Sequence, residues 1–109
     1  MDPMPDDAGM FRLQEEKELD DGWHFQVILD LEEDYSRAVA LRLGWADYNL
    51  WSPSGTDRPS DVALAVLKLF IEALDPRSLP VNLDAARIRR VVRDADTRVP
   101  LMIQQHPRP

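Results

Sequence analysis

The stretch "RPSDVALAVLKLFIEALDP", residues 58–76, constrains this chain more than any other part of it. It reads as a helix. Pro59 suits the first helical position, where its missing N–H would have no partner anyway, and Asp61 puts negative charge near the positive end of the helix dipole. Leu74, Asp75 and Pro76 mark the stop, because a residue before proline avoids helical geometry. Between those ends only Lys68 and Glu72 are charged, and with Asp61 and Ala65 they make one narrow stripe. Val62, Leu64, Val66, Leu67, Leu69, Phe70, Ile71 and Leu74 take the rest of the circumference. One sheet face covers only a single stripe of a helix. A second helix and the C-terminal segment must therefore cover the flank, or a second copy of the chain must do so. Intramolecular cover is the expectation, with a homodimer as the alternative.

The sheet is read from period-two alternation. In "GWHFQVILDLEED", Trp23, Phe25, Val27, Leu29 and Leu31 share one face, while His24, Gln26, Ile28, Asp30 and Glu32 share the other. The preceding segment alternates more weakly, with Phe11, Leu13 and Leu19 as its apolar positions. A two-residue Asp21-Gly22 loop would set apolar against polar along the whole ladder. A three-residue Asp20-Asp21-Gly22 loop pairs Leu19 with Trp23, Leu13 with Leu29 and Phe11 with Leu31. The expectation is that loop, with Gly22 left-handed at a bulge. It turns Glu15 and Lys17 toward the apolar face, as inward charges guarding an edge strand.

A third strand, "SRAVALRLGW", places Val39, Leu41, Leu43 and Trp45 on one face. Its short connection predicts an antiparallel meander with the second strand in the middle. A second helix is predicted from an Asn82 cap through "LDAARIRRVVRDA", with Ile88, Val91, Val92 and Ala95 as its apolar stripe. "VPLMIQQ" reads as a short edge strand or extended arm, since Pro100 fits a sheet only at its edge. The expected fold class is α+β, a three-stranded antiparallel meander packed against an apolar helix with a second flanking helix (β-β-β-α-α). It forms one domain over 10–104, between a flexible acidic segment 1–9 and a flexible tail 105–109.

Charge is unevenly spread. The net charge is -7, but residues 1–34 hold twelve acids and two bases, while residues 77–109 hold three acids and seven bases. That acidity argues against a nucleic-acid partner, whose affinity would rest on many Lys and Arg contacts to phosphate. The absence of cysteine removes disulfides, thiolate nucleophiles and cysteine-ligated zinc, and fits a cytoplasmic location. The acidic, proline-bearing start lacks a signal-peptide pattern, and no apolar run is long enough to span a membrane.

No catalytic constellation, cofactor motif or metal site is predicted. His24 falls on the solvent face of the second strand and His106 in the tail, neither with a discernible partner. "DLEEDY" lacks the ligand spacing of a calcium loop, and "WSPSG" lacks the glycine pattern of a nucleophile elbow. Two regions remain as candidate binding sites. One is the long 44–58 connection, with Trp45, Asp47, Tyr48, Asn49, Trp51 and Ser52, where aromatics serve either as core packing or as recognition anchors. The other is Arg87, Arg89, Arg90 and Arg93, either a solvated helix face, a partner for the acidic N-terminal region, or a docking face.

The leading functional expectation is a non-catalytic protein-interaction module or accessory subunit, binding a protein partner or itself. The alternatives are a small-ligand-binding protein or minor enzyme with a pocket at the 44–58 loop, and an acidic nucleic-acid mimic.

Overall fold

The first hairpin resolves the conflict between its turn and its apolar pattern by changing register partway along. The computed structural model of the chain describes residues 11–32 and 35–104. The termini expected to be flexible, and His106, lie outside those residues. Strand β1 (Phe11–Leu19) runs antiparallel to β2 (Gly22–Glu32). The turn is Asp20-Asp21, not the expected three-residue loop, since Leu19 pairs with Gly22. A shift between Leu13 and Glu15 then restores the parity that burial needs, so that Leu13 faces Val27 and Phe11 faces Leu29. An extra unpaired residue in one strand flips the faces beyond it. The tight turn and the inward Phe11 and Leu13 are thus both kept.

Two expectations change with that register. Glu16 and Glu18, not Glu15 and Lys17, lie opposite Phe25 and Trp23. Gly22 has φ 151°, not the compact left-handed value, and pairs with Leu19 on one side and Gly44 on the other. A Cβ there would stand 2.1 Å from the Leu43 carbonyl oxygen, so only glycine fits.

Strand β3 (Tyr35–Gly44) pairs antiparallel with β2, Val27 opposite Val39 and Phe25 opposite Leu41, which completes the meander. Trp45 does not continue it. Its N–H donates to the Asp21 carbonyl at 3.1 Å, and it opens helix α1 (Trp45–Trp51). Helix α2 spans Pro59–Ala73 with Pro59 at its first position and Leu74 as its extended C-cap, as its end signals predict.

The predicted second helix is divided. Asn82–Asp84 forms a strand, β4, parallel to β3 with Leu83 opposite Leu41, and the segment holding α1 and α2 supplies the crossover. The helix cap is Asp84, whose carboxylate accepts from the Ala86 N–H at 2.9 Å. A 3-10 turn at Ala85–Arg87 leads into α3 (Ile88–Val91), and after a break the chain enters α4 (Ala95–Gln104). Residues 99–104 of "VPLMIQQ" are therefore helical rather than an edge strand. Ala95, Val99 and the half-buried Met102 and Ile103 recur at helical spacing, and that face outweighs the one N–H that Pro100 lacks.

The result is an α+β fold with a four-stranded sheet in the order β1-β2-β3-β4. Phe25, Val27, Leu29, Val39, Leu41, Leu43 and Leu83 make the core with Val62, Val66, Leu67, Leu69 and Phe70 of α2. Ile88 of α3, Val92 just after it, and Ala95 and Val99 of α4 complete that core, so the chain itself covers the flank of α2. Burial also claims Ala65, leaving Lys68 and Glu72 as the outward part of the expected stripe. Arg98 reaches Glu72 at 3.2 Å across the α4–α2 contact. The opposite sheet face carries exposed His24, Asp30 and Ala38 beside half-buried Gln26, Ile28 and Ala40. Arg42 bridges that face, donating to Asp21 in the turn at 2.6 Å and to Asp84 on β4 at 3.2 Å.

Candidate functional site

Helix α1 explains why the aromatic connection is so rich in rings. Gly44 enters it in extended conformation, and Asp47 sits in the first turn, where negative charge suits the helix dipole. One side of this two-turn helix turns Tyr48 and Trp51 into the core, at 8% and 1% exposure. Trp45 remains 38% exposed, its ring 4.3 Å from that of Trp23, which lies 5.0 Å from Tyr48. Asn49 and Leu50 face outward.

Tyr48, Ser52, Ser54, Thr56 and Asp57 are tied by hydrogen bonds within this segment. Tyr48 donates its hydroxyl hydrogen to the Asp57 carbonyl, and the buried Ser52 hydroxyl donates to the Asp57 carboxylate at 2.7 Å. Ser54 and Thr56 share a 2.8 Å hydrogen bond. The span after α1 is thus a packed connection closed on its own side chains. Tyr48, Trp51 and Ser52, expected as candidate binding residues of this loop, are part of the interior.

The two candidate regions meet at Arg89. Its Nη2 donates to Asp47 Oδ1 at 2.7 Å, and its Nε donates to Asp96 Oδ1 at 2.9 Å. Its guanidinium carbon stands 5.0 Å from the Trp51 ring centre. The Trp51 indole N–H donates to the same Asp96 oxygen at 2.9 Å. One cation therefore ties α1, α3 and the start of α4 together over a buried indole. Partial burial works against the Arg89 charge, but its hydrogen bond to Asp47 and the fields of Asp47 and Asp96 outweigh it, leaving the pKa raised.

The other three arginines separate from Arg89. Arg87, Arg90 and Arg93 are exposed, and none makes an ion pair with another described residue. Arg87 ends the 3-10 turn and Arg90 lies in α3, while Arg93 follows the extended Val92 in the break before α4. Spacing alone does not separate them, because at 100° per residue position 89 falls about as near to 93 as to the inward Val92. The residue that sequence reasoning missed is Asp96, which it placed in no element.

The acids divide in the same way. Asp30 pairs with Arg12 at 3.1 Å and Asp21 with Arg42. Arg42's hydrogen bond, then its charge, lowers the Asp21 carboxyl below its ordinary value; Asp21 in turn raises Arg42. Glu16, Glu18 and Asp20 are exposed and make no ion pair among the described residues. Glu33 and Asp34 lie outside the described residues.

Among the described residues no group of three or more histidine, aspartate or glutamate side chains is placed to hold a metal ion, and no helix is long and apolar enough to cross a membrane. No protein-family model matches the chain, and neither a curated protein nor a solved structure matches it.

Proposed function

We propose that this chain is a small non-catalytic protein-interaction module or accessory subunit that docks an acidic protein surface on Arg87, Arg90 and Arg93. The observation that carries the reading is the contrast within one cluster. Arg89 is consumed by the fold, while its three neighbours stand exposed without ion-pair partners among the described residues. Three exposed guanidinium forks within seven residues suit carboxylates, which accept two parallel N–H donors each. Each exposed pair is worth only about 0.2–1 kcal/mol, so such a face sets encounter rate and orientation more than affinity. The cysteine-free composition is consistent with a cytoplasmic setting.

The test is capture of partners from the native organism by the full chain and by an Arg87→Glu, Arg90→Glu, Arg93→Glu variant. The reading expects partners that are lost with the charge reversal and released by raised salt. Partners retained equally by both proteins would sink it.

A further inference from the structure

We propose that the occupant of the exposed Arg87, Arg90 and Arg93 cluster is a second copy of this chain, paired through a two-fold axis at the hairpin end of the sheet. The inference rests on the docking role of that cluster and adds its partner.

Among the exposed described charges without ion pairs, two groups of opposite net sign stand out, with Lys17 beside the first and Asp94 beside the second. One is Glu16 and Glu18 on β1 with Asp20 in the turn, and the other is Arg87, Arg90 and Arg93. Both lie at the same end of the molecule, because Asp21 of the turn and Asp84, just before Ala85–Arg87, share Arg42. The acids lie on β1, one edge strand, and the arginines follow β4, the other, in the chain. At about 4.8 Å per strand spacing, the two edges are separated by roughly 14 Å. Glu16 and Glu18 pair with Phe25 and Trp23 on the helix-covered face, the side on which α3 packs against α2.

That arrangement is self-complementary. Rotation by 180° about the sheet normal at this end exchanges the two edges and leaves the helix-covered side in place. The acids of one copy then face the arginines of its mate, and the contact occurs twice, as a closed two-fold interface requires. Trp45 belongs near the axis. It is exposed, its N–H is bound to the turn at Asp21, and its ring is backed by Trp23, a rigid aromatic between two charged flanks.

The test is sedimentation equilibrium of the full chain at low and high salt. The expected result is a dimer at low salt whose dissociation constant rises about tenfold or more at high salt. Arg90→Glu alone and Glu18→Arg alone each give monomers with unchanged circular dichroism and melting temperature, because both side chains are exposed and unpaired. An equimolar mixture of the two variants recovers the dimer, since both contacts are again between opposite charges. A wild-type chain that stays monomeric at low salt, or a mixture that does not recombine, overturns the pairing. A poly-glutamate surface separates this from the docking reading itself. A monomeric chain retained there through Arg87, Arg90 and Arg93 overturns self-pairing while leaving the docking face in place.

Discussion

Replacing Arg89 by alanine should destabilise the whole domain, although the residue comes from a run of arginines that reads as surface. The cost can be built from its three contacts. The bond to Asp47, whose side chain is only 16% exposed, is a charge-assisted hydrogen bond of about 1.5–2 kcal/mol. The Asp96 pair is half exposed and contributes about 0.2–1 kcal/mol after solvent screening. The guanidinium against the Trp51 ring adds about 0.5–1 kcal/mol. The sum is about 2–4 kcal/mol, which for a domain of this size lowers the melting temperature by at least about 8 °C. Urea denaturation of a double-mutant cycle assigns the parts. Arg89→Ala with Asp47→Asn should show a coupling of about 1–2 kcal/mol, and Arg89→Ala with Asp96→Asn less than about 1 kcal/mol. An Arg89→Ala protein within about 0.5 kcal/mol of wild type, or zero coupling to Asp47, would refute the claim that this cation joins α1, α3 and α4.

Three further outcomes follow from the same geometry. Gly22→Ala should cost roughly 2 kcal/mol or more in thermal unfolding, because the new Cβ meets the Leu43 carbonyl in a backbone conformation unsuited to L side chains. Phe70→Ala should cost about 3–5 kcal/mol in urea unfolding, the usual range for emptying a fully buried aromatic site. Arg42→Gln should raise the Asp21 carboxyl pKa toward its ordinary value in an NMR titration. The sign follows from linkage: a depressed carboxylate contributes stability above its unfolded pKa and loses it as pH falls through the folded one. The variant should therefore lose stability at neutral pH and keep less of the acid-dependent loss.

Much of this fold was legible because some signals are local. The alternation from Trp23 to Leu31 fixed which residues of β2 face inward, and Pro59 and Pro76 fixed the ends of α2, since backbone sterics act within a few residues. The hairpin was legible only in part. Its apolar pattern named the correct inward residues, Phe11 and Leu13, but their partners depend on a bulge that a period count does not reveal. β4 left no periodic trace at all, being three residues long and held by its fit against Ala40–Arg42. Pro100 drew the last segment toward an edge strand, whereas the apolar face of α2 gave a helix something to pack on.

The candidate sites divide along the same line. The sequence by itself determined that rings cluster before α2, that arginines cluster after Asp84, and that acids gather in the first hairpin, because composition and spacing are properties of the chain. Only the tertiary structure decided which of these groups the fold consumes. Trp51, Asp47, Arg89 and Asp96 come from three separate segments, and their mutual contacts exist only once α1, α3 and α4 are packed. Burial and pairing depend on neighbours distant in sequence, and for that reason Arg89 became structure while Arg87, Arg90 and Arg93 remained surface.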